Sequence, residues 1–171
     1  MDKAIQTAPN FVSNDEVNNM YRDMARIKLY TGDKKGALND FLRAGDIQFL
    51  DKMPVALLLA ERGKYNMALR YCKDIFEAES GAFSGYACMA QVYSLAGRNE
   101  VALKLYDMAI DNKKNNYWAY LERSKIKEKI NDKAGAEQDF QMAKKFAPRI
   151  QKTESYFDEY LSPKILMVST Q

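Results

Sequence analysis

Hydrophobic and small residues recur at helical spacing along this chain, in segments that a Gly or Asn separates. At three of the boundaries between segments a glycine precedes an alanine by five positions, and at a fourth boundary an asparagine does so. The turn residues are Gly32, Gly63, Gly97 and Asn131. The alanines are Ala37, Ala68, Ala102 and Ala136, which lie 31, 34 and 34 residues apart. A period of this length indicates an array of structural repeats.

Within each repeat the pattern predicts a helix, a tight turn and a second helix. Four positions after the alanine comes an aromatic or small apolar residue: Phe41, Cys72, Tyr106 and Phe140. Twelve positions before the alanine comes another small residue: Ala25, Ala56, Ala90 and Ser124. Gly and Asn suit the left-handed conformation that ends a helix, and Asp33, Asn99 and Asp132 are placed to cap the next one. The spacing predicts helices over 17–30, 34–44, 51–62, 65–78, 82–95, 99–112, 116–129 and 133–146.

This pattern resembles the tetratricopeptide repeat, whose period is 34 residues. The matching stretches are YTGDKKGALNDFLRA, SLAGRNEVALKLYDMAI and KINDKAGAEQDFQMAKKFAP, the last ending in the family's proline at Pro148. The resemblance covers about Asn18 to Ile150 and implies an all-α, right-handed α-solenoid of about four helical hairpins. We interpret the chain as a domain of a larger bacterial repeat protein, with repeats at 18–48, 49–82, 83–116 and 117–150.

Two positions depart from the repeat pattern. The second copy arrives three residues early and carries Pro54 in its first helix, so we expect that helix or its turn to be shortened. Arg123 takes a position that is usually aliphatic, and we expect its side chain to extend between helices.

The two ends of the chain lie outside the four predicted repeats. Residues 1–17 are either the tail of a preceding repeat or an N-terminal cap. Ala4 and Pro9 are spaced like Ala143 and Pro148, which favours a natural chain that continues upstream, with Ile5 packed on the first repeat. Residues 151–171 are predicted to form a C-terminal capping helix and tail. Its apolar face would consist of Tyr156, Phe157, Tyr160 and Leu161.

The composition then limits the kinds of catalytic and metal-binding site that the chain can form. The chain has no His, which removes the commonest general base and metal ligand, and it has no phosphate-binding glycine loop. We therefore expect no enzyme activity, no catalytic residues, and no cofactor or metal site. The two cysteines, Cys72 and Cys88, lie at apolar helix positions and are expected to be buried free thiols. The start carries no secretory signal and no apolar stretch is long enough to span a bilayer, so a reducing, cytoplasmic location is favoured.

In the tetratricopeptide family the first helix of each hairpin lines a concave groove that binds partner segments. Combined with helical spacing, the resemblance implies these partner-binding residues: Asn19, Arg22, Arg26, Tyr30, Leu57, Gln91, Ser94, Trp118 and Lys125. We expect acidic partner groups near Arg22 and Arg26 or near Lys125; the alternative is that these three charges serve only solubility. Trp118 is expected to be partly exposed. Seven methionines are expected to face inward: Met20, Met24, Met53, Met67, Met89, Met108 and Met142.

The predicted function is a protein-interaction scaffold or adaptor that holds a protein or peptide segment in this groove. The alternatives are a secretion-type chaperone, a nucleic-acid-binding helical repeat, and the regulatory domain of a larger enzyme. A net charge of +3 argues against nucleic acid. We expect a protein partner, no nucleic acid and no membrane, with self-association as a further expectation.

Overall fold

A computed structural model describes residues 13–78, 82–148 and 152 of the chain. Across these residues the secondary structure is helical, and no strand occurs among them. The helices are α1 Asn14–Tyr30, α2 Lys34–Arg43, α3 Phe49–Ala60, α4 Tyr65–Glu77, α5 Ala82–Leu95, α6 Asn99–Asn112, α7 Tyr117–Lys129 and α8 Lys133–Phe146. The predicted all-α fold is confirmed, and every predicted helix end agrees to within about three residues.

The turns between paired helices have the conformation that their residues predict. The four turn residues all have positive φ: Gly32 at 85°, Gly63 at 70°, Gly97 at 75° and Asn131 at 65°. Glycine enters this region without a steric penalty, and asparagine tolerates it better than most residues. The chain can therefore reverse tightly after each first helix.

Helix capping is confirmed at two of the three predicted positions. The Asp33 carboxylate accepts a hydrogen bond of 2.8 Å from the Gly36 amide, and Asp132 accepts one of 2.9 Å from the Gly135 amide. The prediction for Asn99 is wrong. Helix α6 already begins at Asn99, and its N-cap is Arg98, which makes no side-chain cap bond. A residue inside the first turn cannot take the extended geometry that a capping side chain needs.

The described residues form two compact units. Unit 1 comprises residues 13–51 and unit 2 comprises residues from 52 onward. In unit 1, α1 packs on α2 through fully buried small and aromatic side chains, among them Ala25, Ala37 and Phe41. The Lys28 ammonium reaches the Asp40 carboxylate at 2.6 Å, and Asp40 is 1% exposed.

In unit 2 each helix from α4 to α7 packs on the next helix in the chain. Small residues, among them Ala90, Ala102 and Ala109, bring the helices together around the buried ring of Tyr106. Every residue of α3 from Met53 to Ala60 is buried, which fits a helix that is apolar on all sides. With 12 residues and Pro54 inside it, α3 is the shortest first helix of the four hairpins.

The expectation that the cysteines are free thiols is wrong. Cys72 of α4 and Cys88 of α5 form a disulfide bond, with Cα atoms 5.4 Å apart. Neither is left as a free thiol. The two residues take facing positions on helices that pack together, a proximity that a sequence separation of 16 does not reveal. The bond removes the cysteine-based argument for a reducing compartment.

The methionine expectation is also wrong in part. Of the seven methionines, Met53 alone is classed as buried, at 8% exposure, whereas Met20, Met67 and Met108 are more than two-fifths exposed. Met67 and Met108 each come directly before a fully buried alanine, so they lie beside the buried face of their helix and not within it. On α1, Met20 and Ile27 form part of an outward apolar stripe in which Ile27 is 59% exposed.

Two terminal predictions fall outside the described residues: the packing of Ile5 on the first repeat and, apart from Lys152, the capping helix of 151–171. Among the helices that the structure describes, none is both long and apolar enough to cross a lipid bilayer.

Candidate partner-binding site

In unit 1, Arg22 is engaged in contacts within its own hairpin. Its side chain is buried, with 7% of the residue exposed. Nη2 donates to Oδ1 of Asn19 at 2.6 Å, and Nη1 donates to the backbone carbonyl of Asp46 at 3.2 Å. This guanidinium therefore ties α1 to the segment that follows α2.

Arg26 makes a forked ion pair with Asp51, at the start of α3. Nε and Nη2 donate to Oδ1 at 3.2 and 3.0 Å, and Nη2 also reaches Oδ2 at 3.2 Å. The Asp51 side chain is fully buried and that of Arg26 is 16% exposed. A planar guanidinium suits such two-point contacts with a carboxylate. Of the predicted unit 1 residues, Asn19 and Tyr30 are the exposed ones, Tyr30 at 72%.

In unit 2 the predicted residues divide between interior and surface. Leu57 is 2% exposed and Trp118 is 4% exposed. The expectation that Trp118 is partly exposed is wrong, because its indole joins the core cluster that also contains Leu121. Gln91, Ser94 and Lys125 are half-buried.

The structure gathers five side chains into one group, here called the α5–α7 cluster: Gln91, Tyr106, Trp118, Glu122 and Lys125. The Lys125 ammonium lies 2.6 Å from Oε1 of Glu122 and 5.3 Å from the centre of a Trp118 ring. The side chains of Lys125 and Glu122 are 24% and 16% exposed. A cation above an aromatic face gains electrostatic attraction, more so where water is scarce.

Burial sets the electrostatics of this cluster. It raises the pKa of Glu122, while the charge and hydrogen bond of Lys125 oppose that rise. Burial also raises the pKa of Tyr106 well above its ordinary value, and the negative charge of Glu122 adds to the rise, whereas Gln91 opposes it. The hydroxyl of Tyr106 has no partner at full hydrogen-bond geometry, so Gln91 lies beside it in a looser arrangement. The cluster thus offers an ammonium and an amide to an incoming acceptor.

Arg123 supports the cluster from the other side of α7. Its guanidinium donates to both carboxylate oxygens of Asp139 on α8, at 2.8 and 2.6 Å, and also to Asp107 on α6. The prediction that Arg123 extends between helices is confirmed. These contacts connect α7 to α6 and α8, which are the second helices of the third and fourth hairpins. They thereby fix the face of α7 on which Lys125 lies.

Tyr106 and Glu122 are site residues that were not predicted from the sequence. Glu122 lies four positions after Trp118 and three before Lys125, so helical spacing could have placed it on the same face. Tyr106 comes from a different helix, and no local signal connects it to the site. Among the described residues, no group of three or more His, Cys, Asp or Glu is placed to hold a metal ion.

Comparison with known proteins bears on the fold. No family model matches the sequence, and no protein with a curated description matches it. Solved structures do match. MamA 41-end from Desulfovibrio magneticus RS-1 has a TM-score of 0.62 and 14% identity, over 90% of this chain and 85% of that chain. The "MamA RS-1 ArsTM double mutant" has a TM-score of 0.61 and 14% identity, over 85% and 83%.

A third structure, a crystal structure of MamA, has a TM-score of 0.58 and 13% identity, over 86% of this chain and 85% of that chain. Identity at this level carries information on the fold alone. MamA is a tetratricopeptide-like helical solenoid. This chain therefore has a tetratricopeptide-like helical-repeat fold.

Proposed function

We propose that this protein is a non-enzymatic scaffold that binds a segment of a partner protein through the α5–α7 cluster. The observation that carries the proposal is the position of Lys125, half-buried, above the Trp118 ring and bonded to Glu122. A cation held in one place on a rigid helix loses less conformational entropy on binding than a free surface lysine does. The helical-repeat fold supports the same role, because stacked hairpins present extended binding surfaces.

The partner group that fits this cluster is a carboxylate. An incoming carboxylate would compete with Glu122 for the Lys125 ammonium. Because burial raises the pKa of Glu122, its charged form is less favoured than that of an ordinary glutamate, and it gives up the ion pair more readily. The half-buried amide of Gln91 can donate a further hydrogen bond to a backbone carbonyl of the partner.

Within unit 1 the proposal gives Arg22 and Arg26 a supporting role, since both guanidinium groups make contacts inside that unit. Asn19 and Tyr30 are the accessible predicted residues there. In unit 2, Leu57 and Trp118 are buried and would support the binding surface from the interior of that unit.

The test uses synthetic peptides of one length that differ only in their number of carboxylates, measured by fluorescence anisotropy. Lys125→Met keeps the aliphatic stem and removes the charge. Lys104→Met, at an exposed position of α6, is the matched control. We expect acidic peptides to bind the wild type, and Lys125→Met to weaken their binding at least about tenfold, since tenfold lies near the lower limit for hydrogen bonds to charged groups. The control should bind like the wild type.

Equal affinity of wild type and Lys125→Met for acidic peptides would contradict the site, and so would a panel in which no peptide binds. A single-stranded RNA of mixed sequence tests the nucleic-acid alternative in the same assay. Tighter, strongly salt-dependent binding of the RNA would favour that alternative.

A further inference from the structure

In unit 2, the joint between the second and third hairpins differs from the joint between the third and fourth. At the position four residues after the repeat alanine, Phe41 and Tyr106 supply fully buried aromatic rings. The second repeat has Cys72 at this position, which is equally buried and much smaller. Protein interiors are closely packed. A cysteine in place of an aromatic ring would therefore leave a cavity unless another group fills the space.

The disulfide lies at the position where the first and third repeats have a buried aromatic ring. Cys72 bonds to Cys88 of α5, and both residues are fully buried. Thirty-four residues later, the equivalent positions are Tyr106 of α6 and Glu122 of α7, on helices that also pack on each other. The same pair of positions therefore lies on the packed helices of both joints of unit 2, with an aromatic ring at one joint and a disulfide at the other.

The two helices also approach very closely at this joint. A Cβ built on Gly85 of α5 would lie 2.5 Å from the Cβ of Phe76 on α4 and 2.6 Å from its Cα. The rings of Phe76 and Tyr86 meet edge to face, with centroids 5.0 Å apart. Cys72 and Cys88 themselves have no exposed surface, so we expect a reducing agent to reach the sulfur atoms only when the hairpins separate.

We propose that Cys72–Cys88 is a permanent staple, that the joint is incomplete without it, and that the chain matures in an oxidising compartment. The bond forms by exchange with a disulfide of a small molecule or an oxidoreductase. One cysteine thiolate attacks that disulfide and releases a thiol. The second thiolate then attacks the mixed disulfide, so the two cysteines lose two electrons and two protons, and the oxidant leaves as two thiols. Bonds of this type persist outside the reducing cytosol. This proposal differs from the cytoplasmic location that the sequence analysis favoured.

The first experiment follows reduction of the full chain after oxidative refolding with glutathione disulfide. Alkylation and mass spectrometry count free thiols with and without reductant, in native buffer and in denaturant. We expect no free thiols in native protein, even with mild reductant, and two after unfolding in reductant. Two thiols after oxidative refolding would overturn the staple. Rapid reduction of the native protein would also overturn it and indicate a reversible switch instead.

The second experiment compares melting temperatures. Cross-linking across 16 residues constrains the unfolded chain. Protein that is reduced in denaturant and refolded in reductant should therefore have a Tm lower by about 6–12 °C, for a protein of this size. Cys72→Ala with Cys88→Ala should melt at least as low and should not respond to reductant. If reduction leaves the wild-type Tm unchanged, the joint does not need the bond.

A third variant tests the missing ring directly. Cys72→Phe with Cys88→Ala places an aromatic residue where other hairpins have one, and it should regain part of the Tm that the double alanine variant loses. No gain over the double alanine variant would contradict the packing argument. Acid quenching followed by thiol trapping in the cells that naturally make the protein tests the compartment, because two free thiols there would overturn that assignment.

Discussion

The buried pair Arg26–Asp51 makes a strong prediction about unit 1. An ion pair on the surface contributes about 0–1 kcal/mol. Here the Asp51 side chain is fully buried and the Arg26 side chain is 16% exposed. Removing Arg26 would leave a carboxylate in the interior without its guanidinium. Breaking a buried pair in this way costs about 3–5 kcal/mol, so we expect Arg26→Ala to destabilise unit 1 by that amount.

Urea unfolding gives the assay, with the change in midpoint read at constant m value. Far-UV circular dichroism follows all helices. The fluorescence of the chain's single tryptophan, Trp118, follows unit 2, and amide hydrogen exchange in α1 follows unit 1. The matched control is Arg43→Ala, since that side chain is 56% exposed and 3.9 Å from Asp40. We expect the control to change stability by less than about 0.5 kcal/mol.

A loss below about 1 kcal/mol for Arg26→Ala would refute the reasoning, because the pair would then behave like an exposed one. A second variant separates charge burial from packing. Arg26→Met with Asp51→Leu removes both charges and keeps apolar volume, and it should be neutral or more stable than the wild type. In a binding assay, Arg26→Ala would not distinguish loss of a partner contact from loss of folding. The double variant is therefore the appropriate one for binding assays.

Three further results are expected. Ala102→Leu should destabilise unit 2 by about 1–3 kcal/mol through overpacking, since Ala102 is fully buried, and an unchanged Tm would contradict the helix crossing. Asn131→Ala should cost about 1–2 kcal/mol at its φ of 65°, whereas Asn131→Gly should be neutral or stabilising in urea unfolding. Burial raises the pKa of Glu122 above 4.5, so its ionisation costs stability as pH rises from 4.5 through the raised value. Glu122→Gln should therefore gain Tm relative to the wild type across that window, and a constant difference would contradict the raised pKa.

The helices and turns were predictable because their signals are local. Gly63 and Asn131 have the backbone preference that ends a helix, and alanines at fixed spacing permit close helix crossings. Such preferences act over a few residues and survive in any packing. Predicted and observed helix ends therefore agree closely, even around Pro54 in the shortened helix α3.

Contacts between distant positions were not predictable in the same way. The partner of Arg26 lies 25 residues away, and the partner of Cys72 lies 16 residues away. Whether a polar residue at a groove position faces a partner or its own hairpin depends on such contacts. Helical spacing correctly places Trp118 and Lys125 near one another, but it does not show that the indole is buried while the ammonium stays partly exposed.

The apolar stripe on α1 has a consequence for building longer arrays. Met20 and Ile27 occupy the positions that Gly85 and Val92 take in α5. Those two residues are buried in unit 2, and Gly85 lies against Phe76 of α4. An additional hairpin could be grafted onto this exposed face by design. Its second helix would need small residues opposite Met20, which is larger than glycine, to keep the interhelix distance short. A graft that satisfies this volume rule would bury the stripe and lengthen the array by one repeat.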